Sequence, residues 1–134
     1  MSSPGDDLTA ISRTLARKAG DDATAAIEFS GNPDISDEII GFHVQQAIEK
    51  WLKALIAAGG EAFEHTHDLA RLLSLATDGR PAPPVDTDYL LAMTQYSVPL
   101  RYEDLLDAEP LDRERAVALL LAVRGWAEGL LGTD

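Results

Sequence analysis

A chain of 134 residues suits one domain, able to bury about two-thirds of its unfolded surface without disulfides or a structural metal. Eleven Lys and Arg against 23 Asp and Glu leave a net charge of −12, and the basic residues are scattered, so the isolated monomer is expected to repel RNA and DNA. The absence of cysteine excludes a disulfide scaffold, a thiol nucleophile and a thiolate zinc site.

From Met1 to Asp7 the chain has neither the basic nor the apolar region of a secretion signal. The longest strongly apolar run, Ala116 to Val123, falls far short of the roughly 18–20 residues that span a bilayer. The expectation is a cytoplasmic protein with no membrane association. Asp6 or Asp7 can cap a first helix with Leu8, Ile11, Leu15, Ala19, Ala23, Ala26 and Ile27 at helical spacing, ended by Gly31-Asn32-Pro33. Ser36 caps a second helix that runs to Ala58, with Asp37 and Glu38 favourably placed against its dipole and Gly59-Gly60 as its stop. Thr66 is the expected cap of a third helix carrying Leu69, Leu72, Leu73 and Ala76, closed by Gly79. The prolines between Arg80 and Pro84 forbid a helix interior and mark a loop. A fourth helix is predicted from Asp86 through Tyr89, Leu90 and Met93, breaking near Pro99, followed by a short turn from Arg101 to Leu106. Asp112 caps the last helix, which reaches Leu131 with Val117, Leu120, Leu121, Arg124 and Ala127 among its positions. No segment alternates with period two. The spacing predicts an all-α fold, an antiparallel up-and-down four-helix bundle with a short additional helix, formed by a single domain over residues 1–134 with its core at about 8–131.

On a helical wheel at about 100° per residue, Ile40, Val44, Ala47, Ile48, Trp51, Leu52, Leu55 and Ile56 fill an arc of roughly 180°. An arc that wide requires several neighbouring helices. His43, Gln46, Glu49, Lys50 and Lys53 share the opposite wedge, and Ile39 and Phe42 interrupt it. Ile39, Phe42, His43 and Gln46 are therefore read as an interface with a second copy or another protein. The alternative is a solvated face with one surface Phe.

The segment Phe42-His43-Val44-Gln45-Gln46-Ala47-Ile48-Glu49-Lys50-Trp51-Leu52-Lys53-Ala54-Leu55 resembles the signature helix of the HEPN-domain family (higher eukaryotes and prokaryotes nucleotide-binding domain). His67-Asp68-Leu69, Leu72-Leu73, Leu100-Arg101-Tyr102 and the opening Leu15 to Asp22 extend the resemblance over nearly the whole chain. It implies a helical bundle that dimerises and that often pairs with a separate minimal nucleotidyltransferase in toxin–antitoxin systems. Many members are also metal-independent RNases built on an Arg, a short spacer and a His. Here Arg101 stands where that Arg is expected, but Leu106, Asp107 and Ala108 occupy the positions for the His. Family-type RNA cleavage lacks its neutral-pH proton carrier and is not expected.

Arg101, Tyr102 and Tyr96 form the other candidate site, a nucleotide or phosphate pocket in which Arg101 grips the anion and a tyrosine stacks on the base, with Lys50 and Lys53 as further contacts. The competing reading is an Arg locked to an acid at the bend. His65 and His67 make a poor chelate without a third fixed ligand, so no metal and no cofactor are expected, and His67 and Asp68 are read as decorating the start of the third helix. The resulting expectation is a non-catalytic interaction domain that forms a homodimer and binds a nucleotide or a minimal nucleotidyltransferase. A ribonuclease toxin with a degenerate site around Arg101 and a structural adaptor without ligand are the alternatives.

Overall fold

A computed structural model describes residues 3–98 and 109–132. Among the described residues five helices carry the fold: α1 (Pro4–Ser30), α2 (Asp37–Ala58), α3 (Leu69–Ala76), α4 (Thr87–Ala92) and α5 (Arg113–Leu131), with α4 tightening into a 3-10 turn at Met93–Tyr96. No strand occurs among the described residues. The all-α bundle expected from the spacing is what the chain forms. Three long helices, α1, α2 and α5, dominate it, and α3 and α4 are short. The break at Pro99 and the turn from Arg101 to Leu106 fall outside the described residues.

Local chemistry sets most helix ends. Ser36 accepts from the Ile39 N–H, Asp86 from the Asp88 and Tyr89 N–H groups, and Asp112 from the Arg115 N–H, as N-cap side chains do. Two caps differ from the expected ones. α1 is capped by Ser3, ahead of Asp6 and Asp7, because Pro4 is pre-set for the first helical position and has no N–H to satisfy. α3 is capped by Asp68 and begins later than Thr66 suggested, since the Thr66 hydroxyl accepts instead from the Asp68 N–H and holds the preceding turn.

Around α2 the core closes on several sides. Ile40, Val44, Ile48, Trp51, Leu52 and Leu55 are fully buried, each aliphatic one contributing about 1.5–3 kcal/mol relative to exposure. α1 lies along α2 through Ala19, Ala23 and Ala26, whose small side chains permit close approach, and the buried Ser12 hydroxyl donates to the Ala54 carbonyl at 2.8 Å. Ile11 and Ile27, expected on that inner face, lie exposed, because the alanine stripe is what meets α2.

One end of the bundle is fastened by Arg113. Its guanidinium donates to the Asp37 carboxylate at 3.0 Å and to the carbonyls of Ser30 (3.3 Å), Asn32 (2.9 Å) and Ile35 (2.6 Å), while the Leu111 N–H donates to Asp37 at 3.0 Å. The turn after α1, the start of α2 and the start of α5 thus meet at one point, so α5 runs in the same sense as α2 and opposite to α1. The segment 61–68 returns beside α2, placing α3's start near Gln45 and Glu49 and its exit, Arg80, near Gly59. Trp126 on α5 then holds the proline loop by donating to the Pro81 carbonyl at 2.9 Å.

Candidate functional site

The polar wedge of α2 is not a solvated face. Gln45, Glu49 and Lys53 are buried among the apolar residues, with Glu49 4% exposed. A charge this deep requires full hydrogen bonding, and the fold supplies it. Glu49 accepts from Gln45 Nε2 at 3.0 Å, from Lys53 Nζ at 3.1 Å and from His67 Nδ1 at 2.7 Å. Gln46 extends the network by donating to Gln45 Oε1 at 2.7 Å. The Lys53 ammonium also lies 5.5 Å from the centre of the Phe63 ring, within cation–π range. An ionised Glu49 only accepts, so His67 turns Nδ1–H toward it and keeps Nε2 for solvent. Asp68, next in the chain, does the capping; His67 does more than decorate a helix start.

A second cluster faces α1. Asp22 accepts from His43 Nδ1 at 2.9 Å and, through its other oxygen, from Lys50 Nζ. Edge-on contacts from Phe29 and Phe42, with ring centres 5.7 and 5.5 Å away, confine the His43 ring. Lys50 and Lys53 therefore serve two different internal carboxylates on two sides of α2.

Tyr96 is placed by a missing side chain. A Cβ at Gly41 would lie 2.4 Å from Tyr96 Cδ1, so only glycine lets the ring pack directly on the α2 backbone. Tyr96 sits near the start of α2, about two and a half turns before the first of the candidate lysines. Arg101 and Tyr102, the rest of that candidate pocket, lie outside the described residues.

The candidate interface residues do share one face. Ile39 is 42% exposed, and Phe42, His43 and Gln46 are partly exposed at helical spacing beneath it. Among the described residues, no group of three or more His, Asp or Glu side chains is placed to hold a metal ion, and no helix is long and apolar enough to cross a membrane.

The quoted motif pieces thus converge: the Gln-Gln-x-x-Glu stretch of α2 and the His67-Asp68 pair, far apart in sequence, make one hydrogen-bonded unit. The sequence model of the HEPN domain matches residues 12–130. The chain belongs to the HEPN domain family. Comparison with curated proteins and with solved structures returns no match.

Reading the sequence missed three partners in this HEPN domain. Asp22 stood inside the family-like opening segment with no mark of its role. Gln45 stood inside the family-like stretch of α2 with no mark of its burial. Arg113 was one of the scattered basic residues, although it gathers three carbonyls and a carboxylate. Helical spacing could have hinted at one of them, through Gln45 standing four residues before Glu49.

Proposed function

We propose that this HEPN domain is a non-catalytic interaction module that pairs with a second copy through the α2 face of Ile39, Phe42, His43 and Gln46. The observation that carries the reading is Ile39 and Phe42 standing exposed or half-exposed in a row on the helix that otherwise forms the core. The internal wiring of the wedge supports it: His43, Lys50, Glu49 and Lys53 spend their polar groups on contacts within the fold. The dimer would bind a minimal nucleotidyltransferase or a nucleotide, the latter beside Tyr96 with Arg101 and Tyr102. Family membership supports the partner class.

Light scattering at high micromolar concentration tests the pairing. The expected result is twice the chain mass, shifting toward one chain in Phe42→Lys; a monomer from the unchanged protein overturns it. Calorimetry with AMP and ATP tests the ligand, and Arg101→Ala is expected to abolish the heat. RNA cleavage that disappears in Arg101→Ala would replace this reading with the ribonuclease one.

A further inference from the structure

Six of the ten basic side chains among the described residues are matched to acids. Lys50, Lys53, Arg71, Arg113, Arg115 and Arg124 each face a carboxylate within ion-pair distance. Arg80 donates to the Ala76 carbonyl. Among the described residues, the cations left with neither an acidic nor a carbonyl partner stand together on one stretch of α1, at Arg13, Arg17 and Lys18.

Arg13 and Arg17 border a groove of about 440 Å³ between α1 and α5, closed on the α5 side by Arg124 and Glu128. The volume falls within the range of small-molecule sites. Ala16 and Gly20 form part of its lining, and a Cβ added at Gly20 would meet nothing within 4 Å, so the space is open to an occupant. Glu128 accepts from Arg124 Nε at 2.9 Å, which fixes the guanidinium plane and leaves its terminal N–H groups to other acceptors. Asp21 is also in the lining, four residues after Arg17 on the same helix, yet the two make no ion pair.

We propose that the groove between α1 and α5 binds a phosphate monoester of a hydroxylated small molecule, with Arg13, Arg17 and Arg124 on the phosphate and Asp21 and Glu128 accepting from the hydroxyls. Arginine is the side chain whose rigid fork matches phosphate oxygens, and three of them border one cavity. The two acids in the same lining set the ligand class. They repel a uniform polyanion such as nucleic acid, as does the net charge of −12, but they suit a ligand whose anionic end is followed by hydroxyl donors. The site lies on a different face from the α2 row and from Tyr96, so it stands independently of the proposed dimer and its ligand.

Amide chemical-shift titration of the whole chain tests this, with glycerol phosphate, AMP, inorganic phosphate and glycerol as probes at millimolar concentration. Glycerol phosphate is expected to give saturable shifts at Ala16, Gly20, Thr24 and Gly125, inorganic phosphate a weaker response at the same amides, and glycerol none. AMP binding there more tightly than glycerol phosphate would assign the hydroxylated part to a nucleoside, and the reverse order to a simple polyol or sugar. Arg17→Ala is expected to weaken binding about tenfold or more, as loss of a charge-assisted contact does. Gly20→Leu, which fills the groove without changing charge, should abolish binding, and Lys18→Ala should leave it unchanged. No saturable shift with any phosphate, or an equal loss in Lys18→Ala and Arg17→Ala, overturns the site.

Discussion

Lys50 and Lys53 stand three residues apart on α2, Arg13 and Arg17 four apart on α1, and the fold treats the two pairs in opposite ways. Each lysine is drawn against an inner carboxylate, Asp22 for one and Glu49 for the other. Neither arginine makes an ion pair among the described residues, and both border an open groove. The difference lies in what surrounds the helices. α2 is enclosed, so a cation on it is stable only where another element brings a counter-charge. α1 has one face in water, where an unmatched guanidinium costs little. A helical cation is therefore no guide to ligand binding until its neighbours are known, and the lysines first suspected of holding a ligand are the ones the fold uses itself.

The strongest way to break this contrast is at Glu49. Glu49→Ala removes the acceptor of a buried Lys53 and should cost about 3–5 kcal/mol in urea denaturation, because an uncompensated buried charge remains. A loss within the scatter of ordinary surface variants would show that the network is incidental. Next comes Gly41→Ala. Its Cβ collides with the Tyr96 ring, so overpacking of about 1–3 kcal/mol should outweigh the gain in helix propensity. A double-mutant cycle with Tyr96→Ala should recover part of that loss, and strict additivity would remove Tyr96 as the cause.

Asp22→Ala is expected to cost less than Glu49→Ala, about 1–2 kcal/mol, since Lys50 and His43 each keep a quarter of their side chain in water. A loss equal to that of Glu49→Ala would erase the distinction between the two sides of α2. At the water-facing extreme, Arg71 donates from two nitrogens to the Glu64 carboxylate and holds its pKa below the ordinary value. The small contribution of that pair is present at neutral pH and is lost as acid protonates Glu64. NMR titration of Arg71→Ala should show the Glu64 carboxyl moving back up toward its ordinary value. Smallest of all, Arg17→Ala should leave stability within about 0.5 kcal/mol, whatever it does to ligand binding.

Much of the architecture was legible in the sequence because its causes are local. A cap and the N–H it accepts lie two or three residues apart, so Ser36, Asp86 and Asp112 announced three helix starts. The two misplaced starts had competing caps close by, and Pro4 in one case and a Thr66 turn in the other decided between them. The wide apolar arc of α2 correctly gave its burial. The candidate site was less legible. His67 was visible as a motif residue, but its partner Glu49 is 18 residues away, and Asp22 is 28 residues from Lys50. Spacing on one helix carries no information about such pairs.

By itself the sequence determined that the chain is helical, acidic, free of thiols and built around the helix from Asp37 to Ala58, because periodicity, capping and composition act within a few residues. Only the tertiary structure decided which charges are used up and which stay available. That choice depends on desolvation and on a counter-charge arriving from another element, so the wedge of α2 became internal wiring while the arginines of α1 remained open to a ligand.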